Sequence, residues 1–94
     1  MKLEPDTLSE IRNLLELVEK EEAEDKIYKW GVAPAPYERL AILYRKDKNY
    51  FAEVAILERY VKQHHAPGVK PPRLLERLDK AKKLVASKAV RYQK

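Results

Sequence analysis

The side chains best equipped for chemistry are few. His64 and His65 stand next to each other, the run EKEEAEDK from Glu19 to Lys26 gathers carboxylates, and Ser9 and Ser87 are the only serines. Adjacent histidines on a helix point about 100° apart, so the two cannot easily share one ligand. Near a helix C-terminus a protonated imidazole is favoured by the helix dipole, which gives both a structural reason to be there. The acidic run could hold a hard cation through its carboxylates, or it could be a solvated helix face. No HExxH, no phosphate-cradling glycine loop and no nucleophile with an adjacent base is present, so the expectation is a protein that is not an enzyme and takes no cofactor or metal.

The elements that would carry these residues follow from hydrophobic spacing. Ninety-four residues suit one domain, here 1–94. There is no cysteine, which excludes disulfides and points to a reducing, cytoplasmic setting. No apolar run is long enough to span a membrane, and the first residues lack the apolar stretch of a signal peptide. Period-two alternation is absent, so the fold expected is all-α, with four helices at about 7–29, 36–46, 50–64 and 71–90.

In the first segment Thr7 and Glu10 have capping-box spacing, and Leu8, Ile11, Leu14, Leu15 and Val18 follow with helical period. Gly31 is the expected stop. Trp30, the only tryptophan, is expected to pack the first helix onto the next, with ligand stacking as the alternative. VAPAP, from Val32 to Pro36, is a stiff link. Tyr37, Leu40, Ala41 and Tyr44 then share one face, as do Tyr50, Val54, Leu57 and Val61 beyond the turn. Asp47 or Asn49 can cap the third helix. The last helix has a stripe of Leu74, Leu78, Ala81 and Val85.

Tyr37, Leu40, Ala41, Tyr44 and the Asn49–Tyr50 step resemble the signature of the tetratricopeptide repeat over residues 34–61. The resemblance implies a central antiparallel helix pair, with an N-terminal helix and a C-terminal capping helix covering its two sides. Four positions depart from the family pattern. Lys48 replaces a turn glycine, Glu53 a small residue, Tyr60 an alanine and His65 a proline. Carried over by position, the family's concave face would comprise Glu38, Ile42, Arg45 and Lys46. These imply binding of a protein partner, as an adaptor or inhibitor. Equally, Ile42 could pack under the first helix. On this reading Tyr44 is core, and Arg45→Glu leaves folding alone while weakening an acidic partner.

Charge adds a second line. Residues 1–25 carry nine acids and three bases, a net −6, and the remainder carries +11. The basic part could attract an acidic protein or phosphate, or the acidic helix could neutralise it internally. The alternative function is therefore a nucleic-acid-binding accessory protein using Lys62, Lys70, Arg73, Arg77, Lys80 and Lys88. Leu17, Leu84 and Tyr92 flank the core stripes and could extend a helix seam into a homodimer.

Overall fold

The computed structural model describes residues 4–66 and 70–92, with side chains of 70, 71 and 88–92 outside that description. Four helices follow one another: α1 Pro5–Tyr28, α2 Ala35–Lys46, α3 Tyr50–Val61 and α4 Lys70–Tyr92. Among the described residues there is no strand, only a single parallel bridge between Val32 and His65. Each helix packs on the next in sequence, α1 on α2, α2 on α3 and α3 on α4. The chain is thus an all-α, four-helix domain. No helix among the described residues is long and apolar enough to cross a membrane.

The helix ends depart from the expected caps in instructive ways. α1 begins earlier than the Thr7–Glu10 spacing suggests, because Pro5 is pre-shaped for a first turn and Glu4 precedes it without a side-chain cap. Glu10 is consequently free to leave the backbone, and it pairs with Arg39 of α2 instead, at 2.7 Å. α1 ends with Lys29 in the left-handed region, its amide donating to the Asp25 carbonyl at 2.8 Å. Asn49, one of the two candidate caps for α3, accepts from the Ala52 amide at 3.2 Å.

The core draws Ile11 and Val18 from α1, Val32 from the link, Tyr37, Leu40, Ala41 and Leu43 from α2, Ile56, Leu57 and Tyr60 from α3, and Leu74, Leu78 and Ala81 from α4. Ala41 is fully buried, consistent with close helix approach at a small side chain. Tyr44 packs against this core but is only partly buried. Leu8 and Val61, placed in the apolar stripes, are exposed, as is Leu75 next to the buried Leu74.

The two connecting segments are sewn together. The Val32 amide donates to the His64 carbonyl at 2.7 Å, and the Ala66 amide donates to the Val32 carbonyl at 3.3 Å. Gly31, at φ +87°, lies so close that a Cβ there would sit 2.5 Å from the His65 carbonyl carbon. Only glycine fits that contact and that dihedral together.

Candidate functional groove

Two sets of residues singled out by different sequence arguments meet in one place. Glu38, Ile42 and Arg45 from α2 face Arg73, Arg77 and Lys80 from α4, with Glu76 beside them, around an open groove of about 320 Å³. On α4 the cations recur at i, i+4 and i+7, so they share one face one turn apart. On α2 the i, i+4, i+7 spacing of Glu38, Ile42 and Arg45 does the same. Ile42 is half-buried in the wall, neither in the core nor fully bare.

The charges in this groove are not equivalent. Arg45 is committed to the fold. Its Nε donates to Glu53 Oε1 at 3.0 Å, its Nη2 lies 2.7 Å from Glu53 Oε2, and Nη2 also donates to the Arg77 carbonyl at 3.4 Å. Glu53 is completely buried, at the position where the resemblance expects a small residue. Its charge is tolerable there only because Arg45 neutralises it. Arg45→Glu therefore cannot leave folding alone, contrary to the expectation from sequence. Arg73, Arg77 and Lys80, by contrast, have no ion-pair partner among the described residues, although Lys82 and Lys83 on other faces of α4 pair with Glu58 and Asp79.

The other sequence-derived positions lie elsewhere. Lys46 is exposed and acts on Glu10, so it faces α1 and not the groove. Lys62 is the exposed C-cap of α3 and does not line the groove. The side chains of Lys70 and Lys88 are outside the described residues, as is that of Tyr92.

Three carboxylates of the acidic first helix, Glu10, Glu22 and Asp25, find partners within the domain. Glu22 accepts from Tyr37 Oη at 2.8 Å and from Arg59 Nε and Nη2 at 2.8 and 2.9 Å. Burial works against ionisation of Glu22, but the Arg59 and Tyr37 hydrogen bonds outweigh it and hold the carboxyl below its ordinary range. Burial, with Glu22 alongside, pushes the Tyr37 hydroxyl well above its own. Asp25 accepts from the Gly31 amide at 2.7 Å and lies 3.1 Å from His64 Nδ1, and those two contacts likewise lower its pKa. Among the described residues no three His, Asp or Glu side chains converge to hold a metal.

His65 is also structural: its ring stacks on Tyr60, with centroids 4.1 Å apart and planes 4° from parallel, and its Nε2 lies 2.6 Å from the Tyr60 carbonyl oxygen. Tyr60 in turn meets Tyr37 at 5.0 Å. The large tyrosine and the histidine, two departures from the repeat pattern, thus fill one space together. Trp30 does not pack α1 onto α2. It is 68% exposed and folds back on Tyr28, with centroids 4.6 Å apart, beside an exposed Ile27. Sequence reasoning missed this patch, and it marked Glu53 only as a departure from the repeat pattern; a lone carboxylate on an otherwise apolar stretch of α3 was the available signal for its burial and its pairing with Arg45. Comparison with known proteins finds no matching family model, no similar curated protein and no similar solved structure.

Proposed function

We propose that this domain is a non-catalytic protein-binding module, an adaptor or inhibitor, whose α2–α4 groove receives an acidic segment of a partner protein. The observation that carries the reading is the state of the charges. Three acids of α1, Glu10, Glu22 and Asp25, are met by Arg39, Arg59 and His64, whereas Arg73, Arg77 and Lys80 have no ion-pair partner among the described residues and outnumber Glu38 and Glu76, the two acids that share their groove. A row of cations that outnumbers the groove's acids, beside an aliphatic side chain, gives a carboxylate-bearing segment both its ionic and its apolar contacts. The tetratricopeptide resemblance supports the same face, since it assigns Glu38, Ile42 and Arg45 to the concave side.

The test is capture from native extract with and without nuclease, using the protein and its R73E/R77E variant. A discrete protein retained after nuclease and lost by the variant is the expected result. Material lost on nuclease treatment would move the function to nucleic acid and overturn the reading.

A further inference from the structure

Ile27, Tyr28 and Trp30 are 72%, 53% and 68% exposed within four consecutive residues, the densest cluster of bare apolar side chains among the described residues. A patch on the order of a few hundred Å² is close to the largest that monomers leave uncovered. None of these residues lines the α2–α4 groove.

The backbone beneath the patch is fixed. Lys29 at φ 60° and Gly31 at φ +87° turn the chain out of the helix. The Asp25 carbonyl and carboxylate accept from the amides of Lys29 and Gly31, and the Val32–His65 bridge clamps the turn to the second link. The aromatic stack is therefore displayed by a rigid turn, and docking it forfeits little conformational entropy. The fringe carries both signs: Glu24 and Lys26 precede the patch, and Lys29 is interleaved with it. Glu24 has no ion pair among the described residues, and Lys29 makes no direct one, although its charge helps hold Asp25 ionised.

We propose that the Ile27–Tyr28–Trp30 tip is a homodimer contact, in which the tips of two copies meet about a two-fold axis. A two-fold axis sets each patch against itself and lets Glu24 of one copy approach Lys29 of the other, so a mixed-sign fringe is self-complementary. An anionic lipid surface would meet Glu24 as well as the lysines, which makes it the poorer fit. The patch is smaller than one side of a standard interface, so the dimer is weak and forms at high protein concentration. The inference is independent of the groove's ligand.

The experiment is sedimentation velocity on the full chain from micromolar to near-millimolar protein, with emission from Trp30, the only tryptophan, followed in parallel. The expected result is a monomer–dimer equilibrium accompanied by a blue shift. Trp30→Ala, with its helical circular dichroism intact, weakens the dimer by about 30-fold or more, as for an anchor residue. Glu24→Lys and Lys29→Glu each weaken association alone, and mixing the two variants restores it. A chain that stays monomeric throughout overturns the proposal, as does a dimer indifferent to Trp30→Ala. Single charge reversals without effect overturn the two-fold arrangement. A blue shift seen only with phospholipid vesicles would assign the tip to a membrane surface instead.

Discussion

Arg59 of α3 reaches Glu22 of α1 with two nearly equal hydrogen bonds, 2.8 Å from Nε and 2.9 Å from Nη2. Helices α1 and α3 are joined this way around α2, whose Tyr37 donates to the same carboxylate. One residue of an apparently solvated acidic run therefore ties three helices. The pair is partly exposed, with side-chain exposures of 39% for Arg59 and 17% for Glu22, so solvent screening limits its contribution. Glu22→Gln keeps the volume and one acceptor, and is expected to cost about 1–2 kcal/mol in urea unfolding near neutral pH.

The same pair sets an acid dependence. Glu22 and Asp25 both have folded pKa values below their ordinary ones. A carboxyl depressed on folding stabilises the protein above its unfolded pKa, near 4, and that stability is lost as pH falls through the lower folded value. Stability is thus expected to be flat from neutral pH down to about pH 5 and then to fall. In Glu22→Gln the acid slope should be shallower, read from urea midpoints between neutral pH and about pH 3. An unchanged slope would show that Arg59 does not hold Glu22 ionised.

The Arg45–Glu53 pair makes a sharper case. Glu53 is fully buried and Arg45 is its ionic partner. Arg45→Met should cost about 3–5 kcal/mol by stranding a buried carboxylate, whereas Arg45→Met with Glu53→Leu should recover most of that loss. Denaturant unfolding of these two variants, of Glu53→Leu alone and of the parent closes a double-mutant cycle. If the double variant is as unstable as the single, the pair acts through something other than charge compensation.

How much of this was legible in the sequence depends on the distance over which each feature is decided. Helix number and most core positions, such as Leu40, Ala41, Leu57 and Leu74, come from local periodicity, and the structure buries all four. The α2–α4 groove was legible only in halves: Glu38, Ile42 and Arg45 from the repeat resemblance, Arg73, Arg77 and Lys80 from the basic charge of the later part of the chain. Nothing local says that the two halves face each other. The fates of Glu10, Glu22 and Asp25 were not legible, because their partners lie 29, 37 and 39 residues away. Trp30 was misplaced because its direction is set by the dihedrals of Lys29 and Gly31, which a hydrophobicity pattern does not encode.

Backbone conformation gives a paired prediction. Lys48 sits at φ 59° in the α2–α3 turn, where the repeat pattern has glycine. Lys48→Gly should therefore stabilise the domain by roughly 0.5–1 kcal/mol, relieving left-handed strain. Gly31→Ala should do the opposite, costing more than about 2 kcal/mol, since its Cβ would strike the backbone of His65 and Ala66. Thermal melts of the two variants should move in opposite directions. A neutral Gly31→Ala would mean that the two links separate freely.

The tyrosines separate by burial. Tyr37 is fully buried and donates to Glu22, while Tyr44 is only partly buried against the core. Tyr37→Ala is expected to cost about 3–5 kcal/mol, or to prevent folding, and Tyr44→Ala about half as much. Equal losses, read from urea midpoints, would place Tyr44 in the core proper.

The groove cations provide the closing test, because they separate function from fold. Arg73 and Arg77 have no ion-pair partner among the described residues, and the one structural bond from Arg77 uses its backbone carbonyl, which a substitution leaves in place. R73E/R77E should therefore shift stability by no more than about 0.5 kcal/mol. Binding of an acid-rich peptide, followed by fluorescence anisotropy, should fall by about tenfold or more, and the parent's affinity should decline as salt rises. Arg45→Met, in contrast, should lower stability first and affinity only through it. A groove reading built on charge requires that split. If R73E/R77E unfolds the domain, the cations are structural; if it binds the peptide as well as the parent does, the acidic segment docks elsewhere.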